Sequence, residues 1–312
     1  MKSVAASAPA RCGIIGNPSD IYGGVLVSSS VPARAFCRLT RGQAKAPDDS
    51  TLWDAVLARY PVDEVAVEWS SRIPRSSGLA GSTALLAATL LCVRTLLGKA
   101  PDLSEAKGKY EFAEEVRDIE YHEAGVVCGY QDAYMAVFGG VNRLDFASKH
   151  PAVQGGLPGE LTPIEVEDLP FVLVNTGSQR MSGQVHSPVR ERWLAGELKV
   201  VEAMNRLGEL GSAGSLALAE NRWEDLARAM NENHQIAKEL DLSGEVVDDL
   251  VETCRKNGAL GAKLAGAGHG GTVIALVEDK DEFLRHMGSA GFAETLEPKV
   301  EPGVSLENES FT

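Results

Sequence analysis

The stretch Ile73-Pro74-Arg75-Ser76-Ser77-Gly78-Leu79-Ala80-Gly81-Ser82-Thr83-Ala84 runs without a break into the mostly apolar segment Leu85 to Leu97, and it constrains the chain more than any other feature. Small side chains let backbone N–H groups approach an anion, and the helix predicted over Ser82 to Leu97 turns its positive end toward the same point. The stretch reads as a phosphate cradle. It is neither of the two best-known ones: there is no Gly-x-x-x-x-Gly-Lys-Ser/Thr, and no Gly-x-Gly-x-x-Gly after a strand. Taken alone it is equally an ordinary loop and helix N-cap, since Ser and Gly precede many helices.

With 312 residues and a soft prior of about 150 residues per domain, two domains are expected. The Pro- and Gly-rich segment Lys149 to Pro170 is where they are expected to join, giving domains 1–160 and 161–312. The formal net charge of −14 excludes a nucleic-acid or anionic-membrane surface over most of the molecule, while leaving room for a small anionic substrate where positive groups gather locally. Five widely spaced cysteines, mostly among apolar or small residues, point to reduced, buried thiols. No His/Cys spacing makes a zinc site. Neither a leader-like N-terminus nor an apolar run long enough for a bilayer is present, so a soluble, cytoplasmic protein is expected.

Along the chain, Val4 to Leu39 reads as short extended pieces between turn formers, a β-meander. Arg41 to Asp54 reads as a surface connection and Glu64 to Trp69 as a strand. Leu103 to Glu123 and Gln131 to Phe138 have helical spacing, and Val141 to Phe146 and Pro170 to Val174 are strand-like. Helical patterns fill Arg190 to Asn257, with breaks expected near Leu207 to Ser215 and at Leu242-Ser243. A second glycine cluster, Ala259 to Gly271, leads into an apolar strand over Thr272 to Val277. Asp281 to Ser289 reads as a last helix, Phe292 to Leu296 as a last strand, and the acidic tail from Glu301 as frayed.

Three stretches together resemble the GHMP kinase superfamily of small-molecule kinases: Pro9 to Gly24, the loop at 73–84, and Lys263 to Gly271, which is similar to Lys-x-x-Gly-Ala-Gly-x-Gly-Gly. A fourth, Glu120 to Asp132, repeats the galactokinase-like order Glu-x4-Gly-x2-Cys-Gly-x2-Asp. The resemblance implies an α+β fold of two domains: an N-terminal ATP-binding domain with a left-handed βαβ unit, an exception to the usual handedness, and a ferredoxin-like C-terminal domain. It further implies ATP and Mg²⁺ as cofactors. Asp132 would sit by the acceptor hydroxyl, with Arg11 neutralising charge near the transferred phosphoryl or lowering the acceptor's pKa. Pro74, Ser76, Ser77, Gly78, Leu79, Ala80, Gly81, Ser82 and Thr83 would hold the nucleotide, and Ser82 and Glu120 the metal. This set suits phosphoryl transfer, which needs a metal between the phosphates, donors on the transferring group and a carboxylate near the attacking hydroxyl. Plainer readings stand beside it: Asp132 as an N-cap, Glu120 as a solvated helix carboxylate, Lys263 as a surface lysine and His269 as loop filler.

Within the superfamily, Gly16-Asn17-Pro18-Ser19-Asp20 with the nearby Tyr22-Gly23-Gly24 resembles the glucuronokinase branch. Gln131-Asp132, Phe138 to Asn142 and Ser182 to Ser187 are also similar to heptose 7-phosphate kinases. The resemblance implies transfer to an anomeric hydroxyl of an anionic sugar, with Asn17, Ser19, Asp20, Tyr22, Gly266 and Gly268 at the substrate. Arg180, with Arg190 behind it, would serve as a local cation for the anion, although either could equally be a surface charge. Galactose or mevalonate-type kinases are alternatives, as is a catalytically silent ligand sensor. The partners expected are a sugar and ATP, with no nucleic acid and no membrane, and a homodimer is compatible with the sequence.

Overall fold

The structure is a computed structural model that describes residues 3–150, 152, 156–166, 168–177, 186–266, 268 and 271–308. Two long strands, β1 (Ser3–Ile15) and β2 (Val25–Arg41), pair antiparallel and form the centre of the first sheet. Neither is the run of short pieces that the turn formers suggest. Ala, Ser and Gly dominate β1, and all but its first residue are buried. Small side chains let helices pack closely on such a strand, so tertiary packing overrides their weak intrinsic β-preference.

The other strands of this sheet are β3 (Val65–Ser71), β4 (Val141–Asp145), β5 (Glu160–Pro163) and β10 (Ser305–Glu307). The order is β10-β1-β2-β4-β5, with β3 pairing the second half of β2. The sheet thus takes strands from 160–163 and from near the C-terminal end as well as from the first half of the chain. The tail is anchored over 301–307 rather than frayed. Arg34 donates to the carbonyls of Pro302 and Gly303, Gly140 N–H donates to Glu301 O, and Ser7 Oγ donates to Glu307. No local pattern announces these partners, because each lies more than 100 residues away.

Helix α1 (Thr51–Arg59) occupies part of the expected surface connection. Helix α2 (Gly81–Leu96) follows the cradle and packs across β1 and β2, burying a nearly continuous run from Thr83 to Val93. Helix α3 (Ala106–Asp118) passes into a π-turn over Ile119–Glu123, and α4 (Gln131–Phe138) follows.

The second sheet contains β6 (Phe171–Asn175), β7 (Ala259–Leu264), β8 (Thr272–Val277) and β9 (Thr295–Leu296) in the antiparallel order β7-β8-β6-β9. With α9 (Lys280–Ser289) between β8 and β9, this is the split βαββαβ order of a ferredoxin-like layer. Between β6 and β7 run α5 (His186–Leu194), α6 (Leu198–Ala219), α7 (Trp223–Glu239) and α8 (Glu245–Lys256). Val172, Val247, Val251, Val273 and Phe283 belong to a compact second core where this sheet meets α8 and α9. All five cysteines are free thiols, and four are buried. Among the described residues no helix is long and apolar enough to cross a membrane.

Helix α6 runs straight through the break expected at Leu207 to Ser215. Its glycines recur on one face and admit the first sheet closely: a Cβ on Gly211 would lie 1.9 Å from the backbone Val25 O, and one on Gly214 would lie 2.7 Å from the side-chain Cγ2 of Ile15. The glycines cost helix propensity and gain close packing. Gly211→Ala should therefore destabilise the protein by about 1–3 kcal/mol. Thermal unfolding checks this, with the exposed neighbour Ser212 as contrast: Ser212→Ala should leave Tm nearly unchanged.

Candidate active site

The 76–80 backbone is built as a nest. Ser76, Gly78 and Ala80 all have positive φ (55°, 72° and 61°), two of them against the preference of a side-chain-bearing residue. Such alternation turns successive N–H groups toward a common point. Helix α2 begins there with no side-chain cap, and its first-turn N–H groups have no intrahelical acceptor. The left-handed backbone at Ala80 has no signature in the sequence.

Arg11 on β1 joins the cradle to α4. Its Nη1 donates to Gly78 O at 2.6 Å, and its Nε and Nη2 both reach Asp132 Oδ1 at 2.7 Å. The guanidinium is almost fully buried, whereas the Asp132 side chain keeps 29% of its exposure. Among the described residues no hydrogen bond falls on Asp132 Oδ2. One oxygen is fixed and the other is presented.

Glu120 comes from the π-turn and is buried, with both carboxylate oxygens accepting from Thr83 Oγ1 at 2.9 Å. Burial, and then the Asp132 charge, push its carboxyl up to about 7, against the opposing pull of Thr83 and Arg11. It is not a solvated helix carboxylate. Thr83, rather than Ser82, meets it; Ser82 lies exposed on the first turn of α2.

A buried acid whose folded pKa is raised stabilises the fold fully below its unfolded value of about 4.5, and this contribution is lost as pH rises through about 7. Each pKa unit is worth about 1.4 kcal/mol. In chelator, the protein should lose a few kcal/mol of stability between pH 4.5 and 7.5 beyond what its other groups contribute. Chemical denaturation of wild type and Glu120→Gln at several pH values checks this, since the variant's curve should be flatter across that window.

Asp20 is buried, and its Oδ2 accepts from Tyr130 N–H at 2.7 Å and Gln131 N–H at 3.0 Å, capping α4 from across the chain. It sets the entry of the helix that carries Asp132. Ser19 Oγ donates to Val25 O. Tyr22 packs its ring 5.6 Å from that of Trp193, one turn beyond Arg190 on α5. Asn17 is committed inside the protein: Oδ1 accepts from Lys263 Nζ, Nδ2 donates to Gly266 O, and its carbonyl accepts from Asn233. Gly266 presses on the cradle, where a Cβ would lie 2.1 Å from Gly78 O, and Gly268 presses on Leu242 O. Their backbone approaches protein rather than open space. Arg180, with 178–185, lies outside the described residues.

Two residues escaped the sequence reading. Lys263 is fully buried, not a surface lysine. Arg117 is also buried, its guanidinium 4.3 and 4.5 Å from the Tyr121 and Tyr130 ring centroids, bracing the segment between Glu120 and Asp132. An arginine one turn from Ala113 in a helix face that buries Phe112 and Val116 was the available signal.

The profile described as GHMP kinases N terminal domain matches residues 50–140, and that described as GHMP kinases C terminal matches residues 216–292. Together they take in more than half of the chain. The chain belongs to the GHMP kinase family. As a GHMP kinase it is a phosphotransferase that uses ATP and an alcohol acceptor. It is 29% identical over 289 residues to Glucuronokinase 1 of Arabidopsis thaliana, covering 90% of this chain and 73% of that protein. It is 28% identical to the mevalonate kinase of Pyrococcus horikoshii, covering 88% and 89%. The fold matches that of Lactococcus lactis galactokinase complexed with galactose with a TM-score of 0.77 at 19% identity, over 97% of this GHMP kinase and 95% of the other chain.

Proposed function

We propose that this kinase transfers the γ-phosphoryl group of ATP to the anomeric hydroxyl of glucuronate, in the cytoplasm. The observation that carries the transfer is the Arg11 bridge, which holds one oxygen of Asp132 and leaves the other facing outward beside the cradle. The acceptor hydroxyl gives its proton to Asp132 Oδ2 as its oxygen bonds to the γ-phosphorus, and ADP leaves with the bridging electrons. Arg11, charged and dry, offsets the negative charge gathered between Gly78 and Asp132. The backbone N–H groups of 76–83 hold the phosphates in place.

The residues fit a divalent cation. The Asp132 charge weighs on buried Glu120, and a hydroxyl-bearing helix start lies beside it. Glu120, with Ser82 and Thr83, would hold Mg²⁺, together with phosphate oxygens as is usual for that ion. A cation held there would supply positive charge to offset that of the phosphates.

The choice of sugar is supported by the glucuronokinase named among the relatives and by the Gly16-Asn17-Pro18-Ser19-Asp20 loop. ATP consumption measured over glucuronate, galactose, glucose, a heptose 7-phosphate and mevalonate, with the product's phosphate position read by NMR, tests it. Best turnover on mevalonate or on a neutral hexose would move the assignment to another branch. Nucleotide and sugar binding without turnover would make the protein a ligand sensor.

A further inference from the structure

We infer that Lys263 is a positioning residue, the far anchor of a chain of hydrogen bonds and close backbone packing that holds the phosphate cradle and Arg11 in register. Its ammonium lies buried where β7 meets the end of β1, and it donates to Asn17 Oδ1 at 2.6 Å, Leu264 O at 2.6 Å and Gly13 O at 3.3 Å. Three oxygen acceptors require three donors, which only the charged amine supplies. Burial pushes the group down to about 7, with Cys12 acting against it and Arg11 in the same direction. Cys12 and Arg11 on β1 and His234 on α7 are the titratable groups that interact with it.

From there the contacts run without a gap to the reacting groups. Asn17 Nδ2 donates to Gly266 O, the Gly266 backbone abuts Gly78, Gly78 O accepts from Arg11, and Arg11 holds Asp132. Gly13, whose carbonyl Lys263 holds and whose N–H donates to Ala265 O, lies two residues beyond Arg11 on the same strand. Gly271 closes the other side, since a Cβ there would lie 2.5 Å from Ser77 O. Lys263 therefore braces the cradle from both the strand that carries Arg11 and the turn that packs on Gly78.

The test uses ADP binding by calorimetry and steady-state kinetics on the full chain, with Val251→Ala in the second core as a control of similar stability loss. Lys263→Met should weaken ADP binding and raise the ATP KM by about tenfold or more, with kcat reduced as Arg11 loosens, while the control binds ADP normally. Asn17→Asp keeps an oxygen for Lys263 but replaces the donor to Gly266 O with a second acceptor. It should hold or raise Tm yet still weaken ADP severalfold, a separation that a merely stabilising lysine would not give. It also keeps the inference open to refutation if Lys263→Met does not fold. ADP affinity unchanged in Asn17→Asp, or reduced in Lys263→Met no more than in the control, overturns the inference. The inference rests on the cradle reading of 76–83, and a wild-type protein that fails to bind ADP overturns both, whereas failure on the sugar panel touches neither.

Discussion

Asp132→Asn should lower kcat by roughly 10²-fold or more and leave nucleotide affinity nearly intact. The amide matches the carboxylate in size, and its oxygen can still accept from Arg11, so the bridge between Gly78 and α4 survives. What disappears is the proton acceptor at Oδ2. The substitution also removes the second-largest cause of the raised Glu120 pKa, so Glu120 should ionise at lower pH in the variant. Two readouts therefore move together: turnover falls, and the stability lost to Glu120 ionisation between pH 4.5 and 7.5 shrinks. Turnover within a few-fold of wild type, with Glu120 shifted as described, would show a folded site in which Asp132 is not the base.

The parts of this site that were legible in the sequence are those whose function is written in backbone. Ser, Gly and Ala at 76–83 before a long apolar helix suit a tight loop with positive φ, and α2 starts within one residue of its expected position. The spacing from Glu120 to Asp132 was legible as a motif, and it brings Asp132 close enough for its charge to raise the Glu120 carboxyl. The residues that were misread owe their places to contacts distant in sequence. Lys263 is surrounded by small residues that give no sign of whether its strand is edge or centre; its burial comes from Gly13 and Asn17, some 250 positions earlier. The glycines of α6 looked like a helix break because their compensation, the backbone at Val25, is not local. The same holds for Asn17 and Asp20. Their residue types suit a sugar hydroxyl, but the amide of Asn17 is consumed by Lys263 and Gly266, and Asp20 caps α4. A polar residue in a substrate-like loop is as readily the support of a site as its lining, and only the partner across the fold decides which.

Glucuronate should exceed glucose by about 10²-fold or more in kcat/KM. A site built for a uronate places a cation where the carboxylate lies, and that cation is partly desolvated once the acceptor pocket closes around the sugar. Glucose would leave it without its ion-paired hydrogen bond, a loss of a few kcal/mol, because unpaired buried charge is more costly than a missing attraction. Among the described residues Arg190, half-buried on α5, is one candidate: its charge opposes the burial and the Asp20 charge that push the Tyr22 phenol up. Asp20 in turn accepts from the N–H groups of Tyr130 and Gln131 at the start of the helix that carries Asp132. Arg190→Gln and Arg180→Gln, made separately, identify the cation. The one that matters should shrink the glucuronate-to-glucose ratio by reducing glucuronate turnover alone, since a neutral sugar never used the charge. A ratio near one in the wild type, with robust phosphorylation of both sugars, would leave the kinase assignment standing and remove the uronate from it.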